Sequence, residues 1–292
     1  MNIKYMEFVP NEKATPIRYP STANLMVDSF DRNLVQYPTC ENFLITKNQS
    51  IMNGFFTRIA TTEVVLEWFT GNVGGANGQF AYTVGATATD FSLAGFYTVE
   101  GLIDDLVAAL NETTSTTGLT WSASAVQGGG VALTATGAPG IVFSLIAPIF
   151  ITLTAETDTF SGTIPAGGSE SFQIDVSTAD IRRVRYLDMV CTQLTNNQSV
   201  KDASTARDVR DVLCRWYFDY DNQNPTDAYG FPILMGYQPF CLRRLFNPPK
   251  QIQWQTNIPV GQLSFQLYDD SGNLASVSEQ TNYLMTLQAS ES

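Results

Sequence analysis

Apolar and polar positions alternate along several stretches of the chain, the period-two signature of half-buried strands. In Phe56 to Phe69 the even positions Ala60, Thr62, Val64, Leu66 and Trp68 make one largely apolar face, broken at its start by Arg58, with Glu63 and Glu67 opposite. Later, Val212, Cys214, Trp216 and Phe218 share a face against Asp211, Arg215 and Asp219. Ile252, Trp254 and Ile258 alternate with Gln251, Gln253, Gln255 and Asn257. Leu263, Phe265 and Leu267 precede an Asp269-Asp270-Ser271-Gly272 turn, and Tyr283, Met285 and Leu287 form a last strand. Regular strands separated by Gly, Pro and Asn turns predict a mainly β protein, a β-sandwich or jelly roll.

The middle of the chain departs from this pattern. After a Gly/Asn loop (Gly71, Gly74, Gly75, Gly78), the residues Val99, Leu102, Ile103, Leu106, Val107 and Leu110 recur at helical spacing behind a capping Thr98. The spacing predicts a helix from Val99 to Asn111 with Asp104 and Asp105 toward solvent. Short strands follow at Leu119 to Val126, Val131 to Thr136 and Ile141 to Leu145, with glycine turns at 128–130 and 137–140, then a Thr-rich strand. One helix on a few antiparallel strands is a small α+β module. The expected organisation is therefore an extended N-terminal arm over 1–40, a jelly roll over 41–70 and 169–292, and an inserted acidic α+β module over 71–168.

Charge supports the division. The 292 residues hold 16 basic and 28 acidic side chains, a formal net charge of −12. From Ile59 to Ile181 there is no Lys or Arg but there are twelve acids: Glu63, Glu67, Asp90, Glu100, Asp104, Asp105, Glu112, Glu156, Asp158, Glu170, Asp175 and Asp180. The remainder is neutral. No specific nucleic-acid partner is expected from so acidic a chain. Met1 to Thr15 has no apolar signal region, and Ile141 to Leu153 is too short to cross a bilayer, so no membrane span is expected.

The sequence contains no histidine. That excludes Ser-His-Asp and Cys-His catalysis, imidazole bases and most zinc and non-haem iron sites. The pairs Asp104-Asp105 and Asp269-Asp270 read as a solvated helix face and a turn rather than as acid/base catalysts. Asp219 to Asp227 resembles a calcium loop but lacks the glycine at its sixth position and has Gly230 where the twelfth-position glutamate belongs, so a structural turn is the better reading. Gly128 to Gly130 has no following Lys-Ser/Thr and is not a phosphate loop. No catalytic residue, cofactor or metal site is expected, and the protein is read as not an enzyme. Cys40, Cys191, Cys214 and Cys241 read as buried thiols.

Eight of the eleven arginines lie between Arg182 and Arg244. They fit either ordinary salt bridges to nearby acids or an interface, where the planar guanidinium is enriched over Lys. Arg182, Arg183, Arg185, Arg243 and Arg244 are the candidates for contacts.

Three stretches resemble a known family. Leu25-Met-Val-Asp-Ser-Phe-Asp-Arg-Asn33, followed by Tyr37-Pro38 and Asn42-Phe43, resembles the N-terminal pattern of minor capsid proteins of large DNA viruses, virophages and polinton-like viruses. Gly95-Phe-Tyr-Thr-Val-Glu-Gly-Leu102 resembles a helix-opening step in the same proteins. Pro249 to Trp254, Leu267 to Gly272 and the final strand to Glu291 are similar to the penton subset. The resemblance implies a virion protein whose β-sandwich is a single jelly roll, made in the host cytoplasm or a viral factory. It would form a homo-pentamer at the five-fold vertices of an icosahedral capsid and contact a double jelly-roll major capsid protein. It also implies that the arm, with Asp28, Ser29, Asp31 and Arg32, locks neighbours together along the inner side of the shell. Five acidic modules around one axis repel unless they stand in water, so the module is expected to project outward. The rival reading is a receptor- or glycan-binding β-sandwich of a spike or appendage, suggested by Tyr220, Tyr229, Phe231 and Tyr237 around a Pro/Asn/Gly-rich loop.

Overall fold

The strand alternation closes into two facing sheets in the computed structural model of the chain. It describes residues 22–47, 51, 56–126, 130–154, 157–175, 180–195, 212–218, 225–253 and 260–291. In chain order the elements are β1 (Thr22–Asp28), β2 (Asn42–Thr46), β3 (Arg58–Trp68), β4 (Gln79–Val84), β5 (Thr87–Ser92), α1 (Val99–Glu112), α2 (Thr114–Thr117), β6 (Leu119–Ala125), β7 (Gly130–Gly137), β8 (Val142–Ile146), α3 (Ile149–Thr154), β9 (Thr159–Thr163), β10 (Ser169–Asp175), β11 (Tyr186–Val190), α4 (Thr192–Thr195), β12 (Val212–Tyr217), β13 (Phe240–Leu245), β14 (Gln251–Gln253), β15 (Gln262–Tyr268) and β16 (Asn282–Ser290).

The body consists of one sheet in the order β1-β16-β3-β13, with β14 also on β3, and a second in the order β12-β11-β15-β2. Apart from the steps β11 to β12 and β13 to β14, the chain changes sheet as it passes from one strand of the body to the next, and the first strand pairs antiparallel with the last. A five-stranded and a four-stranded sheet joined this way are a jelly roll. Their inner faces supply one core, in which Trp68 meets Phe218 at 5.1 Å and Trp216 meets Tyr283 at 5.2 Å between ring centroids. Cys40, Cys191 and Cys214 fill this core, and burial pushes their thiols up to about 12, 12 and 11. Cys241 instead lies exposed on β13.

Strand β3 keeps the expected alternation only from Val64 onward. Opposite it, Thr286 pairs with Glu63 and Leu287 with Thr61, so Thr62 is the extra residue of a β-bulge. The bulge reverses the phase: Val64, Leu66 and Trp68 point inward, and before it Ile59 and Thr61 do. Arg58 therefore lies outside the apolar face rather than breaking it.

Between β3 and β11 stands a second unit with its own core. Its sheets run β5-β4-β8-β9 and β10-β7-β6. Helix α1 forms where the spacing puts it, with Thr98 Oγ1 accepting the Gly101 N–H at 3.1 Å. Asn111 clasps the backbone of β6, accepting from Trp121 N at 2.7 Å and donating to Trp121 O at 2.9 Å. The hairpin β4–β5 was not expected, although Phe80, Tyr82 and Val84 are buried alternately with Gln79, Ala81 and Thr83. β10, assigned to the jelly roll by sequence, pairs with β7 instead, because Phe172 and Ile174 complete the second core. Likewise β1 is a sheet strand inside the segment expected to be an arm; residues 1–21 lie outside the described residues.

Candidate interaction surface

Because side chains alternate along a strand, the residues between the inward ones of β1, β16, β3 and β13 share the outer face of one sheet. The registers line them up in rows. One row runs Met26–Thr286–Glu63–Leu245, the next Asp28–Leu284–Val65–Arg243, and the third Asn282–Glu67–Cys241. Each of the first two rows begins on β1 and ends on β13, the two edges of this sheet. Met26 is 67% and Leu245 63% exposed, so both outer corners of the first row are apolar and open. In the second row an acid and a base flank two half-buried apolar side chains. Arg243 also bonds Glu63 in the neighbouring row, Nε to Oε1 at 2.6 Å. A cleft of about 210 Å³ opens on this face among Asp28, Phe30, Val65, Glu67, Asn282 and Leu284.

The turn after β1 is built on one buried guanidinium. Arg32 is 4% exposed, and its Nη1 donates to Ser29 O at 2.7 Å and to Asn282 Oδ1 at 2.6 Å. Its Nε donates to Tyr37 O at 3.0 Å and its Nη2 to Pro38 O at 2.9 Å. Ser29, fully buried, accepts from Tyr283 N at 2.8 Å, and Asp28 caps the turn by accepting from Phe30 N at 2.9 Å. These bonds pair the guanidinium as it is buried and satisfy the buried carbonyl of Ser29. The loop they fix holds Phe30 (59%), Leu34 (56%) and Val35 (96%) out in solvent, and Met26 on β1 is exposed as well. Asp31 is exposed. Thus Ser29 and Arg32 work inside the chain, while the apolar residues they position, which sequence reasoning passed over, form the surface. The available signal was four large apolar side chains in a segment too polar to bury them.

The candidate arginines fall in two other places. Arg182 is internal: its Nε and Nη2 form a fork with Asp180 at 2.9 and 2.7 Å, and its side chain is 7% exposed. Burial pushes the Asp180 carboxyl up, but the hydrogen bonds and charge of Arg182, with the charge of Arg185, outweigh it and hold the group below its usual value. Arg183 and Arg185 are exposed, Arg185 3.6 Å from Asp180. Arg244 donates to Tyr217 O at 3.3 Å. Asp28 and Arg243 share a face; the arginines at 182–185 do not join them. Arg207 and Arg210 lie outside the described residues. On the outer face of the other sheet, Arg215 bonds Asp188 in a fork at 2.6 and 2.8 Å and stacks 4.1 Å over Tyr186.

The aromatics of the rival reading serve packing. Phe231 and Tyr237 are buried in the second core, and Tyr237 Oη accepts from Ile181 N at 3.1 Å. Tyr229 Oη donates to Asp104 Oδ1 at 3.2 Å; burial first, then the Asp104 charge, pushes this phenol up to about 12. Tyr220 lies outside the described residues, as do Asp219 to Asn224 of the calcium-like loop. Asp227 is used otherwise: its carboxylate accepts from Glu100 N at 3.0 Å and from Tyr229 N and Phe231 N at 3.1 and 2.9 Å. Among the described residues no helix is long and apolar enough to cross a membrane.

Fold and surface together define a single jelly roll with a module inserted between its third and fourth strands and an exposed, charge-edged sheet face. No family model and no curated protein matches the chain. Among solved structures it is similar to that titled "Crystal structure of SeMet-labeled mavirus penton protein", at 11% identity over 93% of this chain and 99% of that chain, with a TM-score of 0.46.

Proposed function

We propose that the chain is a penton-type minor capsid subunit of a virion. It forms pentamers at the five-fold vertices of an icosahedral capsid and contacts a double jelly-roll major capsid protein. The observation that carries this reading is a coincidence of motif and structure. The Ser-x-Asp-Arg and Tyr-Pro residues that carry the resemblance to minor capsid proteins are those that close the turn around Arg32. The product of that closure is a set of exposed apolar side chains held away from the core, the kind of surface that fits a protein partner. In a ring of five each copy offers one surface to a different surface of the next. The acidic module then faces solvent, where screening acts over about 8 Å.

Mass photometry of the purified protein, alone and at low micromolar concentration, tests the reading. A species near five times the 32.1 kDa chain mass is expected. The exposed double variant Phe30→Ser, Val35→Ser should melt like the parent and remain monomeric. A stable trimer, or a wild-type chain that stays monomeric with or without the major capsid protein, overturns the proposal.

A further inference from the structure

The rows across the outer sheet face have a further property. Their ends are complementary to each other, so the face is complementary to itself. Turned about a two-fold axis lying between β16 and β3 and roughly along the strands, the face places Asp28 of one copy against Arg243 of the other. The same rotation sets Met26 against Leu245, Leu284 against Val65, and Thr286 against Glu63. Apolar meets apolar in two of these pairs and acid meets base in a third; Thr286 against Glu63 sets a neutral hydroxyl against an acid already paired with Arg243 of its own chain. Reversing the axis to lie across the strands would put Asp28 over its own symmetry mate and lose the match.

We propose that this face docks a second copy of the same chain, sheet on sheet, as an isologous pair. Packed sheets lie roughly 10 Å apart with strands about 30° from parallel. The axis therefore falls within about 15° of the strand direction. Three rows over four strands cover only a few hundred Å², well below the roughly 800 Å² per partner of a standard stable interface. The pair is accordingly weak, formed at high local concentration such as inside an assembly. It does not rest on the pentamer proposal, although Met26 and the cleft that Phe30 lines belong to both surfaces.

The test is covalent trapping. In a Cys241→Ser background, Met26→Cys and Leu245→Cys are combined in one chain and treated with a bismaleimide whose span matches the roughly 10 Å between packed sheets. The remaining cysteines are buried. The expected product on a denaturing gel stops at two chains, because both bridges close within one pair. Adding Asp28→Arg, which sets like charges against Arg243, should reduce the product at least tenfold; Asp28→Asn, which keeps the cap, should reduce it less. Asp28→Arg with Arg243→Asp restores opposite charges and should restore the dimer. A ladder reaching five chains, or a dimer indifferent to Asp28→Arg, overturns the isologous pair. A ladder of five would leave the pentamer standing, so the two proposals fail separately.

Discussion

The body and the inserted unit solve charge in opposite ways. In the body, acids near the arginines are paired with them: Asp180 with Arg182, Asp188 with Arg215, Glu63 with Arg243. The inserted unit, from Gly71 to Asp175, has nine acids (Asp90, Glu100, Asp104, Asp105, Glu112, Glu156, Asp158, Glu170, Asp175) and no base. Three of the twelve acids in the base-free stretch thus belong to the body, and two of these meet arginines from later in the chain. The difference teaches what holds each part. The body can face protein at close range because its charges are balanced locally. The inserted unit relies on its own apolar core and on residues lent to it by the body: Phe231, Leu234 and Tyr237 pack there, while Asp227 receives the first turn of α1.

The largest expected effect breaks that loan. Phe231 is fully buried, and Phe231→Ala should cost about 3–5 kcal/mol. Hydrogen–deuterium exchange should show the loss in α1, at residues 99–112, and leave the β16 segment, residues 283–290, protected. Equal loss in both would mean that the two cores unfold as one unit, and the contrast drawn above would fall.

A middle-sized effect tests the charge pairing at the junction. Asp180 and Arg182 are only 20% and 7% exposed at their side chains. Arg182→Met should cost about 2 kcal/mol, between the value of an exposed pair and that of a fully buried one. The pH dependence gives the sign. Asp180 has a lowered folded pKa, so its contribution is full above the unfolded value of about 4 and is lost as pH falls through the folded value. In Arg182→Met the guanidinium's hydrogen bonds and charge are gone, burial is opposed only by the backbone N–H at 182 and the charge of Arg185, and the folded pKa rises from its value in the parent. That variant should therefore lose less stability than the parent as pH falls through about 4. Parallel melting curves for the two across pH 3–7 would remove the pair from the account.

Much of this architecture is visible in the chain itself, because alternation reports directly on a two-layer β fold. Val64, Leu66 and Trp68, or Tyr283, Met285 and Leu287, need no tertiary information to be assigned to a core face. What depends on distant partners was not visible. The bulge at Thr62 exists only against β16, some 220 residues later. β10 reads as a strand, but its partner β7 is chosen by the fit of Phe172 and Ile174 into a core. Arg32 and Arg182 look like surface residues of an interface; a charged side chain reads the same in sequence whether it faces water or a ring of carbonyls. The rows Met26–Leu245 and Asp28–Arg243 unite residues more than 200 positions apart, and register alone creates them.

The smallest effect probes the unpaired charge of the inserted unit. The last turn of α1 carries no base, and Glu112, exposed at its end, sits where the helix dipole disfavours an anion. Glu112→Lys replaces that repulsion with attraction and lowers the acid excess of the unit from nine to seven. It should stabilise the unit by about 0.5–1 kcal/mol at low ionic strength, and by less as salt screens the field. The same swap at a balanced site in the body, Glu63→Lys beside Arg243, should destabilise instead. Opposite signs for one substitution type are what separate charge-paired from charge-excess regions. If Glu112→Lys is neutral even at low salt, the acids of the unit are already screened individually by water, and only the body's ion pairs bear on stability.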